Sequence, residues 1–205
     1  MAKTKLGWKK ALEHAENVVI DSELTREQHL RIFKKMLDSR NEQDQRIAIG
    51  LLKVFIELYP DDFDRELDLD ALYEYGETLA ANNWSDYGRY VLYPIMKTRS
   101  IPAIWIDRVA DEAPTPLRNA FVKALEELAK RKRNPLDRIL GILRYFIDDP
   151  STEVRKTLVR VSKQIGKRDK ERFHYFLVDH ESGAGSHRMA FIKAARDAVG
   201  FKDKG

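Results

Sequence analysis

The sequence predicts an all-helical protein, and three observations carry that expectation. No segment of useful length alternates polar and apolar residues with period two. Apolar residues recur instead at helical spacing between short breakers rich in Pro, Gly, Asp and Asn. Finally, QRIAIGLL, GRYVLYPI, LRNAFVKA, VRKTLVRV and HRMAFIKA each place an arginine just inside a helix after a turn: Arg46, Arg89, Arg118, Arg155 and Arg188, at intervals of 43, 29, 37 and 33 residues. These intervals average about the length of one helix pair, which predicts stacked antiparallel hairpins in a curved, HEAT-like solenoid, its concave face lined by the second helix of each pair. A compact irregular bundle is the other arrangement such helices allow. Arginine in a first helical turn is disfavoured by the helix dipole, so its recurrence points to packing, to binding, or to salt bridging between neighbouring repeats.

In order, Trp8, Leu12, Ala15 and Val19 are spaced for one helix face, which Asp21 and Ser22 end. Thr25 with Gln28 reads as a capping box, opening a helix that turns Leu30, Phe33 and Leu37 inward. After a polar turn at 39–44, RIAIGLLKVFIELYP is apolar on almost every side, so it predicts a helix buried between neighbours and closed by Pro60, Asp61 and Asp62. A helix over 67–81 follows, with a turn expected at Asn82 and Asn83. The aromatic-rich WSDYGRYVLYPIMK comes next, kinked or ended by Pro94. Its Trp84, Tyr87, Tyr90 and Tyr93 read as core between repeats or as a stacking platform, and Trp8 and Trp105 as packed anchors. Ile101 to Val109 forms a short helix, and DEAPTP breaks the chain before a helix burying Leu117, Phe121, Ala124 and Leu128. Asn134 and Pro135 separate it from LDRILGILRYFID. ERFHYFLVD and HRMAFIKAARDAV, split by a Gly/Ser turn, complete the series.

The stretch from Asp149 to Lys167 is the most informative. Asp149, Pro150, Ser151 and Thr152 stop one helix and cap the next. Val154, Leu158, Val161 and Ile165 then form an apolar stripe. Lys156, Arg160, Lys163 and Lys167 repeat that spacing two residues later, roughly 200° around the helix. A solvated face usually mixes signs, whereas an unmixed basic row repels itself unless something negative lies against it, and phosphate is the obvious candidate.

At 205 residues the chain is expected to form one domain, 1–205, and its 43% hydrophobic and 34% charged residues describe neither a disordered nor a membrane protein. With no signal-like apolar core and no cysteine, a cytoplasmic location is expected, without membrane association, disulfides or thiolate chemistry. The formal charge of +4 is unevenly spread: 36–80 holds twelve acids against four bases, and 151–205 seven acids against thirteen bases. The basic quarter suits nucleic acid; the acidic region around Asp61 to Asp70 would prefer a basic protein partner. His174, His180 and His187, with Asp179 and Glu181, do not share one helix face, so no metal site is expected. The run 130–133 (KRKR) serves a helix terminus or phosphate equally well.

Several of these segments resemble the DNA alkylation repair family, the AlkD-like helical-repeat DNA glycosylases. APTPLRNAFVKAL is similar to the family segment whose arginine contacts DNA, which would give that role to Arg118. STEVRKTLVRVSKQIGKRDKERFHYFLVDH resembles the penultimate repeat, and HRMAFIKAARDAVG the closing helix. The resemblance implies a C-shaped solenoid whose positive concave face holds duplex, damaged or branched DNA without metal or cofactor. It also implies a tryptophan and a catalytic aspartate, for which Trp84 and Asp86 are the nearest residues. If Trp84 takes the family tryptophan, however, the aspartate position falls on Gly88. A second cleft aromatic falls on Arg160 and a neighbouring arginine on Lys163. The basic row and the resemblance together predict DNA binding: Lys156, Arg160, Lys163 and Lys167 follow from the row, and Arg118 and Trp84 from the resemblance. Base release would rest on Asp86 as its carboxylate, since cleaving a glycosidic bond builds positive charge on the sugar. A protein-interaction scaffold is the alternative from another class.

Overall fold

A computed structural model describes residues 10, 11, 13–15, 17, 25–39, 41–58 and 69–201. Trp8, Leu12, Val19, Asp21, Ser22, Leu67 and the Pro60–Asp62 breaker lie outside these. Every regular element among the described residues is a helix. α1 spans Arg26–Leu37, and the expected capping box is present: Thr25 Oγ1 accepts the Gln28 N–H at 3.4 Å while Gln28 Oε1 accepts the Thr25 N–H at 2.7 Å. α2 spans Glu42–Leu58 and buries Ile47, Ala48, Ile49, Leu51, Leu52, Val54 and Phe55, which occupy most of its circumference and leave a polar strip at Arg46, Lys53 and Glu57.

α3 spans Leu69–Tyr87 and departs from expectation at the Asn82–Asn83 turn. The helix runs on through a kink at Asn83 (φ −132°, ψ 34°), whose buried side chain accepts a hydrogen bond from Arg46 Nε at 3.2 Å. Continuing the helix buries Leu79, Ala80, Tyr87 and Val91 on one surface, and no Gly or Pro stands at the kink to break it. A π-helical turn, Gly88–Leu92, follows, and the Tyr93 N–H reaches back to the Gly88 carbonyl. This widened turn leads into α4, Tyr93–Thr98, with Pro94 in the first turn, where a missing N–H is tolerated.

α5 covers Ala103–Glu112, α6 Thr115–Lys130 and α7 Leu136–Leu143. α7 is shorter than its sequence suggests. Tyr145 and Phe146 bond to carbonyls three residues back, and these tightened turns lay Phe146 on Phe121 with centroids 5.3 Å apart. α8 covers Thr152–Arg168, α9 Lys170–Asp179 and α10 Ser186–Val199.

The helices pack in sequence. α1 lies on α2, α2 on α3, α3 and its π turn on α6, α6 on α8, and α8 on α10; α5 and α7 flank α6, and α9 flanks α8 and α10. Close approach of α3 to α6 is set by two glycines. A β-carbon at Gly76 would come within 2.6 Å of Leu117 Cδ1, and one at Gly88 would overlap the Ala120 carbonyl oxygen and come within 2.9 Å of the Lys123 β-carbon.

The recurring arginines are the rungs between these layers. Arg46 bonds Asn83 and pairs with Glu42, Arg89 pairs with Glu127, Arg118 with Asp149 and Arg188 with Asp148, while Arg155 donates to the Asp149 and Pro150 carbonyls. Other arginines cap carbonyl ends of earlier helices: Arg138 donates to the Met96 and Arg99 carbonyls, and Arg168 to those of Ala129 and Asn134.

Candidate nucleic-acid interface

α8 is built as its sequence suggests. Asp149 Oδ1 accepts the Ser151 N–H at 2.8 Å, and Ser151 Oγ accepts the Val154 N–H at 3.5 Å, which starts the helix. Val154, Leu158, Val161 and Ile165 are fully buried, while Lys156, Arg160, Lys163 and Lys167 are exposed. Lys156, Lys163 and Lys167 have no ion-pair partner among the described residues.

Arg160 differs. Its Nε lies 3.4 Å from Glu126 Oε2 on α6, and its Nη2 donates to Thr157 Oγ1 at 2.8 Å; that hydroxyl donates in turn to Asn119 Oδ1 at 2.5 Å. Glu126 belongs to a buried ionic cluster. Lys123 Nζ reaches Glu126 at 2.9 Å and Glu127 at 3.0 Å, Lys130 reaches both at 2.9 Å, and Arg89 approaches Glu127 at 3.3 Å. Charge therefore runs from the π turn across α6 to α8, with four cations around two carboxylates. The cluster ties Arg160 in place and leaves the three lysines beside it unneutralised.

Burial would push the Glu127 carboxyl up, but hydrogen bonds from Lys130 and Lys123 and their positive charges outweigh this and hold it at about 2. Glu126 is lowered by the same two lysines against the same burial. A carboxyl depressed on folding contributes stability above its unfolded value, and the contribution is lost as pH falls toward the folded value. Glu127→Gln is thus expected to lower stability by about 1–3 kcal/mol at pH 7. In urea titrations the gap to the parent should close between pH 4.5 and 2. A gap that does not change with pH would remove the cluster from the account of acid stability.

Arg118, at the start of α6, does not join this surface. Its guanidinium forks onto Asp149, 2.8 Å from Nε to Oδ2 and 3.3 Å from Nη2 to Oδ1, and also donates to the Ala113 carbonyl at 2.6 Å. Trp84 is half-buried against the core. Tyr87 is wholly buried, its hydroxyl donating to the Leu72 carbonyl at 2.7 Å, and Tyr90 and Tyr93 pack partly buried against the same core. Trp105 anchors α5 by donating from Nε1 to the Leu69 carbonyl at 3.0 Å.

Asp86 is half-buried one turn beyond the Asn83 kink. Burial raises its carboxyl above the ordinary range, and the charges of Arg46 and Arg89 pull the other way without cancelling it. Gly88, two residues on, faces the α6 backbone with no room for a side chain.

The α6 ionic cluster is the feature beside the basic row that sequence reasoning misses, although Lys123, Glu126, Glu127 and Lys130 stand at i, i+3, i+4 and i+7, the spacing of helical ion pairs. Among the described residues there is no group of three or more His, Cys, Asp or Glu side chains able to hold a metal ion, and no helix long and apolar enough to cross a membrane. No family model matches the chain, and no curated protein sequence matches it.

Proposed function

We propose that this protein is a HEAT-like helical-repeat, DNA-binding protein of the alkylation-repair type, acting in the cytoplasm. It holds the phosphate backbone of duplex, damaged or branched DNA against the exposed row of α8. The observation that carries this reading is the set of three exposed lysines on one helix face, Lys156, Lys163 and Lys167, which lack ion-pair partners among the described residues. The serial packing of α2, α3, α6, α8 and α10, with α1, α5, α7 and α9 alongside, supports the solenoid arrangement. Arg160 contributes charge while the α6 cluster fixes its position. Contacts of this kind set register and carry little base information, so recognition follows DNA shape or damage more than sequence.

With Trp84 in the place of the family tryptophan, the carboxylate position is Gly88, which has no space beside it, and this argues against base release. The test is the affinity for duplex, nicked and branched DNA across a salt series. Three or four neutralised phosphates impose a slope of log affinity on log salt of about −3 to −4. Binding that ignores salt would overturn the reading.

A further inference from the structure

A second surface of different chemistry lies on the far side of α6. Phe121 packs against Trp105 of α5 with centroids 5.6 Å apart. Lys123 and Glu126 project about 160° and 140° away from it around the helix, so α5 and the ionic cluster flank α6 on opposite sides. Beside α5 is a groove of about 980 Å³, formed with the end of α4 and the start of α3. Its apolar lining includes Ile95, Ile101 and Trp105, and at its edge Ile104 stands 81% exposed.

The rim is acidic. Arg108 is occupied by Asp70 at 2.7 Å and Glu112 at 3.6 Å, and stacks over the Tyr73 ring at 4.4 Å. Asp107 and Asp111 are exposed and have no ion-pair partner among the described residues. Ile104, Asp107 and Asp111 stand at i, i+3 and i+7, so one face of α5 presents an apolar anchor followed by two unneutralised carboxylates.

We infer that this groove docks a basic amphipathic helix of a partner protein, its apolar side chains seated over Ile104 and Trp105 and its lysines or arginines facing Asp107 and Asp111. Charge complementarity commits the choice. A rim with four acids and two bases repels a phosphate backbone, and it stands out in a chain whose net charge is +4. The surface offers helix faces and no strand edge, so an extended peptide would find no backbone partners here, whereas a helix can lay an apolar stripe into the groove.

The test uses the full chain and a fluorescein-labelled amphipathic helical peptide of leucine and lysine, followed by anisotropy. The same peptide with glutamate replacing lysine is the comparator. The expected result is saturable binding of the leucine/lysine peptide alone. Ile104→Asp and the pair Asp107→Lys with Asp111→Lys should each weaken it at least ~10-fold, as loss of a central anchor or of its facing charges does. Because all three side chains are exposed, melting of the variants should match the parent, which separates lost docking from lost folding. Absence of saturable binding, equal binding of the glutamate peptide, or affinity unchanged in Ile104→Asp would each overturn the inference. A concentration-dependent dimer abolished by Ile104→Asp would overturn it too, by assigning the groove to a second copy of the chain.

Discussion

Replacing Lys156, Arg160, Lys163 and Lys167 together with glutamine is expected to lower affinity for duplex DNA on the order of a thousandfold at about 0.1 M salt and to flatten the salt dependence by three to four units. Each neutralised phosphate contributes about 0.9 to the slope, which at that salt is roughly eightfold in affinity relative to 1 M, and four such contacts multiply. The folded state should tolerate the change. Lys156, Lys163 and Lys167 are exposed and unpaired among the described residues, so their loss shifts stability by no more than about 0.5 kcal/mol and relieves repulsion along the row. Arg160 is 44% exposed and its pair with Glu126 is long, so its share is about 1 kcal/mol or less. Anisotropy titrations of parent and variant across salt, with urea unfolding beside them, measure both quantities. A variant that folds normally and keeps the parental slope would move the DNA surface away from α8.

How far the sequence can be read depends on whether the information is local. α8 is legible because its stripe, its cap at Ser151 and its basic row all lie within one helix, where spacing alone assigns faces. The buried character of α2 is legible for the same reason, since apolar residues on most sides leave only a narrow polar strip, the one that carries Arg46, Lys53 and Glu57. Asn83 misleads because a pair of asparagines reads as a turn, whereas the chain runs on as a helix through it with its side chain buried and held by a hydrogen bond from Arg46, 37 residues away. Gly88 carries no local sign that it closes against Ala120. The recurrent arginines are visible as a pattern, but their partners Asn83, Glu127, Asp149 and Asp148 stand 31 to 40 residues distant, and that pairing is tertiary.

Asp149→Ala is expected to cost about 3–5 kcal/mol, the usual penalty for stripping one member from a buried ion pair. Its side chain is 2% exposed and accepts three hydrogen bonds, two from Arg118 and one from the Ser151 N–H, while its carbonyl accepts a fourth from Arg155. Removing the carboxylate leaves the Arg118 guanidinium, itself 12% exposed, with only the Ala113 carbonyl and the Thr115 hydroxyl to satisfy it. It also removes the acceptor that holds Ser151 in position to cap α8. Arg118→Ala should cost a similar amount, and the double variant little more than either single one, because both act on one interaction. Urea midpoints of the four proteins measure the coupling, and additive losses would dissolve the pair as a unit. The same variants test the proposed contact of Arg118 with DNA. As the partner of Asp149, its replacement should lower stability and leave the salt slope of binding unchanged in the protein that remains folded. As a phosphate contact it should reduce that slope by about one unit. The geometry favours the first outcome: the fork of the guanidinium is filled by a buried carboxylate, and a phosphate could reach it only by displacing Asp149 and the turn from which α8 begins.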